Sequence, residues 1–459
     1  GGGGGMAAAA ASQGGVSFSV GPREGRARAG TLSTPHGPLE TPGALLCTVR
    51  GLPHHLSRDS LAELPLARGC LVCAGHLAHP GVAESVRRAG GLHGYTGLQD
   101  HVLAVDFRDP RAYGLGGLPG PLECPKPGAP PPAPARGWGE AKATPPPSGQ
   151  GRALRAPGKG SGGLRVETPS GATVFRPEDF SEVLGDLCPD LCVAMGDERT
   201  GVNALKRTRE WAEHCLRAMG AGPGAAGVLL PVAGGADPEG REVCSRLAGE
   251  LAAEHSGGAG AGSPGGGGVV GFALAGFGTG EHPGARPALI ERALAHLPGD
   301  GYLRYMGGAA CGPREALEAV ACGVDLIDAE YPLAAADAGY ALDFPLEMPD
   351  TTSGPGPGAA GAREQERAGR GDLLKFSLWG KEHERSVGPL VAGCTCYTCS
   401  RPHSRAYLHH LLKVREMNAQ VLLEIHNTHH YMRFFESCRA AIRRGDFRRY
   451  REWFCGLDG

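Results

Sequence analysis

The sequence predicts an α/β fold, a (β/α)8 barrel with an embedded zinc-binding subdomain and C-terminal helices. Two observations lead to this prediction. Short apolar segments recur along the chain and are mostly followed by stretches with helical spacing, and cysteines cluster near the C-terminus. Strands that alternate with helices form a parallel sheet, because each helix carries the chain back to the start of the next strand. Eight such strands close a barrel. A doubly wound open sheet is the alternative, although no Gly-x-Gly-x-x-Gly motif follows the first strand.

Eight segments have the length and apolar character of buried strands. The stretch 314–320, which follows the seventh segment, shows the apolar spacing of a helix. In a barrel of this kind, active sites lie at the C-terminal ends of the strands, so functional residues are expected there. The predicted strands are 44–49, 70–74, 102–107, 191–195, 227–232, 269–274, 302–306 and 324–327.

Low-complexity tracts divide the chain. The 77 glycines and 38 prolines are far above average and concentrate in four tracts that have too few apolar residues to fold. Met6 is a candidate initiator, and the acid-poor N-terminus weakly suggests a transit peptide. The predicted division is a disordered N-terminus 1–25, a barrel 26–350 with disordered insertions at about 117–163 and 256–268, a disordered linker 351–371, and a zinc-binding subdomain with C-terminal helices 372–459.

Charge and cysteine content argue against several protein classes. The net charge is −2, so any contact with nucleic acid must be local. The 15 cysteines are odd in number and sparse, unlike those of a secreted disulfide scaffold. No apolar run approaches the roughly 20 residues that cross a bilayer. We therefore expect a soluble cytoplasmic protein with reduced thiols and no integral membrane segment.

A metal site is the most specific local signal. Cys394, Cys396 and Cys399 lie on one predicted turn, and His426 ends an apolar run 27 residues later. Three thiolates and one imidazole favour Zn2+, and four protein ligands leave no open position for chemistry, so we predict one structural zinc ion. The alternative is an ordinary cluster in a cysteine-rich chain. Five other histidines lie nearby and are assigned to packing or surface positions: His403, His409, His410, His429 and His430.

With these motifs in view, the chain resembles the queuine tRNA-ribosyltransferases, also called tRNA-guanine transglycosylases. The resemblance runs from about residue 27 to 453 and includes the zinc motif. The other matching blocks are 28–37, 40–42, 90–93, 175–178 and 323–326. The resemblance implies a (β/α)8 barrel with a zinc subdomain. It also implies a role in replacing guanine by queuine at the wobble position of tRNA with a GUN anticodon.

The resemblance also assigns positions in the active centre. Asp328 falls on the position of the nucleophilic aspartate, and Asp197 falls on that of the base-recognising aspartate. In the third strand, however, 105–110 lacks the family's glycine pair. Asp106 would then substitute for the family's aspartate only after a one-residue slip that turns its side chain to the opposite face.

Two further departures follow. An alanine replaces the glutamine of the family's Val-Gln-Gly-Gly, and Ala334 and Asp337 replace two arginines that hold the anticodon loop. An anion in place of such a cation repels the nucleic acid. We therefore expect no catalytic residue, with Asp328 as a vestigial nucleophile position.

The C-terminal blocks 388–399 and 404–412 resemble the non-catalytic accessory branch of the family. That branch implies a heterodimer with a catalytic queuine tRNA-ribosyltransferase subunit, and cytoplasmic localisation with peripheral association at the mitochondrial outer membrane. Seven arginines between 433 and 452 are candidates for tRNA phosphates or for a solvated helical face. Six side chains are candidates for either interface or core: Tyr407, Leu408, Leu411, Tyr431, Phe434 and Phe435.

Two alternative functions stay open. In the first, the chain is itself an active transglycosylase that uses Asp328 as nucleophile and Asp106 or Asp109 as acid/base. In the second, it is a zinc-stapled scaffold barrel unrelated to tRNA.

Overall fold

The structure, a computed structural model, describes residues 15–109, 162–168, 171–218, 225–255, 268–279, 281–309, 311–349 and 374–458. Most of the predicted low-complexity tracts, including the linker 351–371, lie outside the described residues. One boundary is wrong. Residues 17–24, predicted as part of a disordered N-terminus, form a strand, because Phe18 and its apolar neighbours pack against the barrel.

The chain begins with an antiparallel sheet of three strands, β1 (Ser17–Glu24), β2 (Ala27–Thr34) and β3 (Gly37–Thr41). Apolar side chains of this sheet, among them Leu32 and Leu39, belong to one buried cluster with Leu45 and Leu326 of the barrel interior. The sheet therefore closes the N-terminal end of the barrel.

The barrel is a closed ring of eight parallel strands, as the sequence predicts. Its last strand pairs with its first, with Leu326 opposite Gly43 and Asp328 opposite Leu45. The short β5 (Leu52–Pro53) follows the first strand, and the hairpin β8 (Leu164–Thr168) and β9 (Gly171–Phe175) lies between the third and fourth. The ring strands are β4 (Gly43–Val49), β6 (Gly69–Cys73), β7 (Val102–Asp106), β10 (Leu191–Val193), β11 (Gly227–Val232), β12 (Val269–Leu274), β13 (Leu303–Met306) and β14 (Leu326–Asp328).

Helices cover the outside of the ring. In the helix Pro313–Ala321, buried Ala316, Leu317 and Val320 recur with the spacing of one helical face, and this face packs on the sheet. The helices of the barrel are α1 (Arg58–Ala62), α2 (Pro80–Arg88), α3 (Leu92–Thr96), α4 (Phe180–Leu187), α5 (Val202–Ala218), α6 (Pro238–His255), α7 (Arg286–Leu294), α8 (Pro313–Ala321) and α9 (Glu330–Asp337).

A buried ion pair fixes the first sheet to the ring. Arg28 of β2 donates from Nε to Oδ1 of Asp325 at 2.8 Å and from Nη2 to Oδ2 at 2.5 Å. Both side chains are almost fully buried. Such a two-pronged pair is geometrically specific, because the planar guanidinium matches the carboxylate. Asp325 immediately precedes β14, so the pair sets where the last strand begins.

The C-terminal unit starts with a two-stranded sheet, β15 (Tyr340–Leu342) and β16 (Lys375–Ser377). Four helices follow: α10 (Tyr397–Ser400), α11 (Arg405–Val414), the 27-residue α12 (Asn418–Arg444) and α13 (Phe447–Cys455). The end of the chain returns to its beginning, where Glu24 of β1 accepts a hydrogen bond from the backbone N–H of Arg448 at 2.9 Å.

Of the six side chains that were candidates for either interface or core, five are buried and one is exposed. Leu408, Leu411, Tyr431, Phe434 and Phe435 are core residues, and Tyr407 is 42% exposed. Within the described part of the chain, no helix combines the length and the apolar character needed to cross a bilayer.

Candidate metal centre and barrel mouth

The four predicted metal ligands lie together. The Sγ atoms of Cys394, Cys396 and Cys399 lie 3.7, 3.5 and 3.4 Å from Nδ1 of His426. With Zn–S near 2.3 Å and Zn–N near 2.0 Å, a tetrahedral ion needs S···N separations of about 3.5 Å. All four ligand atoms lie within 4.8 Å of one another, close enough to converge on one ion. The donor set and its spacing fit Zn2+.

The groups around the ligands orient them. Nε2 of His426 donates to the Leu342 carbonyl at 2.9 Å, so the Nδ1 lone pair is directed at the cysteines. The side chain of Asn427 accepts from the Leu342 N–H at 2.9 Å and donates to the carbonyls of Tyr340 at 2.9 Å and Pro332 at 3.3 Å. The centre is thereby joined to β15 and α9. A centre of four protein ligands stabilises the fold and leaves no position for a substrate.

Three of the other nearby histidines bind the backbone instead. His403 lies 3.3 Å from the Thr398 carbonyl, His409 lies 2.7 Å from that of Leu378, and His430 lies 2.8 Å from that of Phe344. These contacts agree with the packing role expected for them.

Asp328 ends β14 at the C-terminal mouth of the barrel and is buried. Its carboxylate accepts hydrogen bonds from the Tyr305 hydroxyl and the Gly308 N–H. Burial raises the pKa of Asp328 above its ordinary value, although these two bonds and the charge of Arg108 oppose the shift. The carboxylate is fixed by two donors inside the barrel.

Asp106 also faces the barrel interior, so the expectation that its side chain would turn away is wrong. Val102 and Ala104 of the same strand belong to the interior cluster, and Asp106 follows in the same alternation. Burial raises the pKa of Asp106 to about 7, while Arg108 opposes this rise. The mouth therefore contains two buried carboxylates with elevated pKa values.

Arg108 fills the space beside these carboxylates. Its guanidinium donates from Nη1 to the Gly307 carbonyl at 2.6 Å and from Nη2 to Glu198 at 2.9 Å. Glu198 is itself held by the Gly276 N–H at 3.1 Å. The cavity that remains measures about 20 Å3. This is room for about one water, which needs roughly 10–15 Å3, whereas a cavity known to bind benzene measures ~150 Å3.

Asp197 lies beside this cavity with its carboxylate engaged elsewhere. Arg199 donates to it from Nε at 3.0 Å and from Nη2 at 2.7 Å, and Arg207 donates from Nη2 at 2.8 Å. Burial alone would raise the pKa of Asp197, but these bonds lower it below its ordinary value. Its neighbours Gly196 and Glu198 line the cavity.

Sequence reasoning missed Arg108 and Glu198. The sequence did offer one signal for Arg108, because this long cationic side chain lies in the third-strand segment where the family has its glycine pair.

A second group of metal-type side chains lies at the opposite end of the barrel. Nδ1 of His36 and Nε2 of His93 lie 2.8 and 3.1 Å from the two different oxygens of Asp190. The two rings stack at 3.4 Å and 12°. Lone pairs in nearly parallel planes do not converge on one ion, so we interpret this group as a carboxylate held by two imidazoles.

The arginine-rich tail is largely paired within the chain. Arg439 donates to the Pro42 carbonyl at 2.8 Å and, with Arg443, contacts Glu40. The remaining ion pairs are Arg433–Glu436, Arg444–Asp446, Arg448–Glu452 and Arg451–Glu318. Most of these cations therefore have acidic partners in the same chain.

Comparison with known proteins agrees with the geometry. The family model described as "Queuine tRNA-ribosyltransferase" matches residues 23–115 and 157–457. A Xenopus tropicalis protein named queuine tRNA-ribosyltransferase accessory subunit 2 is 30% identical, with 89% of this chain and 90% of that protein covered. The accessory subunit 2 of Gallus gallus is 28% identical, covering 94% and 92%. A Gloeobacter violaceus queuine tRNA-ribosyltransferase is 29% identical, covering 94% of each. The chain belongs to the queuine tRNA-ribosyltransferase family.

Proposed function

We propose that the chain is a non-catalytic accessory subunit, which pairs with a catalytic queuine tRNA-ribosyltransferase chain and positions tRNA for it. The reaction served is the replacement of guanine by queuine at the wobble position of tRNA with a GUN anticodon. Similarity alone does not choose this role, because accessory subunits and queuine tRNA-ribosyltransferases are similar to the chain to nearly the same degree.

The small size of the cavity at the barrel mouth is the observation that carries the proposal. A purine must enter the mouth to be exchanged, yet the cavity beside Asp106 measures only about 20 Å3 and Arg108 occupies the adjoining space. The carboxylates that the chemistry requires are present, but a base has no room to reach them. This favours a silent centre over an active one.

The helix after the nucleophile position supports the same role. Helix α9 contains no lysine or arginine, and Ala334 and Asp337 stand where the family has arginines. Asp337 contacts His55 of the same chain at 2.6 Å. This helix offers no cationic side chain to the phosphates of a nucleic acid, and phosphate binding depends on such cations.

A partner surface is available on the C-terminal unit. Tyr407, Val414 and Met417 are 42%, 51% and 71% exposed, although such side chains are usually buried. Tyr407 and Val414 belong to α11, and Met417 lies in the turn after it, beside the buried core residues of the same helix. We propose that this face contacts the catalytic chain. The proposed metal is Zn2+, which holds the unit that bears the face.

The experiment is guanine exchange into a GUN-anticodon tRNA by this chain, by a catalytic chain of the same source, and by their mixture. Activity confined to the mixture is expected. The Asp328→Asn variant should support the mixture as well as the wild-type chain does, because the partner supplies the nucleophile. Loss of mixed activity with this variant, if it folds and binds the partner, contradicts the proposal. Failure to bind any catalytic chain favours the unrelated scaffold.

One observation favours a second candidate, an active transglycosylase. Asp106 and Asp328 both face the barrel interior, and the pKa of Asp106, raised to about 7, suits a general acid/base. Exchange by the isolated chain, abolished by Asp328→Asn, would establish this candidate and overturn the first.

A further inference from the structure

We propose that Arg108 is an internal ligand of the barrel. Its guanidinium occupies the place of a small guanidine-bearing molecule, and removing it opens a site for that class of ligand. The inference rests on the proposed non-catalytic role, for which it supplies a physical cause. The centre is silent because it is filled, with its acidic groups still in place.

The hydrogen-bond partners of Arg108 form a site that does not depend on the arginine. Glu198 is held in position by the Gly276 N–H at 3.1 Å, and the Gly307 carbonyl belongs to the loop after β13. A carboxylate and a carbonyl accept hydrogen bonds from any planar group with adjacent N–H donors. Guanidinium ions and the amino edge of guanine both have such donors.

The shape of the backbone fits a flat ligand. A Cβ built on Gly308 would lie 1.7 Å from Nη1 of Arg108, so only glycine leaves room for the guanidinium at this point. Gly308 also has φ +75°, a conformation that favours glycine. The same residue donates its N–H to Asp328. The planar head of Arg108 therefore lies against bare backbone next to the vestigial nucleophile.

Charge determines the class of ligand. Arg108 contacts Glu198 directly, and its charge also acts on Asp106 and Asp328. Without the arginine, three carboxylates share a small buried space, which disfavours anions and strongly favours cations or groups rich in donors. We expect methylguanidinium to bind, guanine to bind more weakly, and acetate not to bind.

The test compares wild type, Arg108→Ala and Arg286→Ala in the zinc-loaded full chain. Arg286 is the matched control, because it is also a buried arginine paired with a carboxylate, Glu281 at 2.8 Å, and it lies outside the cavity lining. Binding of methylguanidinium and of radiolabelled guanine is measured by equilibrium dialysis, with thermal unfolding in parallel. Arg108→Ala should bind methylguanidinium at least tenfold more tightly than the other two proteins do, and the ligand should raise its unfolding midpoint.

The inference is overturned if wild type binds guanine as tightly as the variant, or if folded Arg108→Ala binds neither probe. Removing Arg108 leaves Glu198 facing a cavity and lowers stability. Arg108→Gln, a neutral side chain that keeps an N–H donor for Glu198, therefore serves as a second variant. It should also exceed wild type in methylguanidinium binding, and equal binding counts against the inference. The two proposals fail separately, because binding is measured on the isolated chain and the accessory role is measured by exchange with the partner.

Discussion

Asn427 connects the metal centre to the barrel, and its removal gives the sharpest test of that connection. The side chain is fully buried and bonds the backbone of Leu342, Tyr340 and Pro332. Each buried backbone group left without a partner costs about 1–3 kcal/mol, and single substitutions rarely exceed about 5 kcal/mol. We therefore expect Asn427→Ala to lower the free energy of unfolding by about 3–5 kcal/mol.

The assay is urea unfolding of zinc-loaded protein, followed by circular dichroism. Asn418→Ala is the matched control, because Asn418 is exposed at the first turn of the same helix and should change the free energy by less than about 0.5 kcal/mol. Asn427→Asp keeps the acceptor for Leu342 but places a charge against two carbonyls, so it should be at least as destabilising as alanine. If Asn427→Ala differs from the control by less than about 0.5 kcal/mol, the proposed connection is absent.

Three further predictions concern the metal, a buried ion pair and a buried acid. His426→Ala should reduce bound zinc from one per chain to near zero by atomic absorption and make the C-terminal unit sensitive to protease; a variant that retains its zinc would contradict the ligand assignment. Asp325→Asn leaves the charge of Arg28 buried with a weakened partner and should lower the free energy of unfolding in urea by about 3–5 kcal/mol. The control Glu84→Gln breaks the exposed pair between Glu84 and Arg88 and should lower it by less than about 1 kcal/mol. The pKa of Asp106 is about 7 in the folded chain and near 4 in the unfolded chain. At this group the folded state therefore binds more protons between these values, and the contribution of Asp106 to stability falls as the pH rises from 4 to 7. Asp106→Asn should remove this loss. If the free energies of unfolding of the variant and of wild type differ by the same amount at pH 5 and at pH 8, the prediction is refuted.

The ring of strands follows from the sequence because its signal is local. Residues 227–232 form an uninterrupted apolar run between glycine-rich segments, and the observed strand has the same bounds. The last strand is less well predicted, since 324–327 becomes 326–328. Asp325 binds Arg28 and the Arg304 N–H, and these long-range contacts delay the start of the strand.

The metal centre was predictable for a similar reason. Three of its ligands lie within six residues, and thiolates at that spacing have few other uses. The first strand was missed because glycine and alanine runs dominate the composition before it, which hides the short apolar segment at Phe18.

The plugged mouth could not be predicted in the same way. Arg108 meets Glu198 across 90 positions and Gly307 across 199 positions of the chain. No local pattern encodes such contacts, and the inward direction of Asp106 depends on the strand register that the closed ring imposes. The sequence contained the residues, whereas their convergence required the fold.

Closure of the ring has a consequence for synthesis. Strand β4 cannot complete its pairing until β14 has left the ribosome, because Gly43 lies opposite Leu326. At about 5–20 residues per second, translation of the stretch between them takes roughly 15–60 s. During that time one edge of β4 is an unpaired template for aggregation. The nascent chain therefore depends on being shielded by chaperones more than its final stability would suggest. Synonymous codon changes that slow translation of this stretch should lower the yield without altering the finished protein.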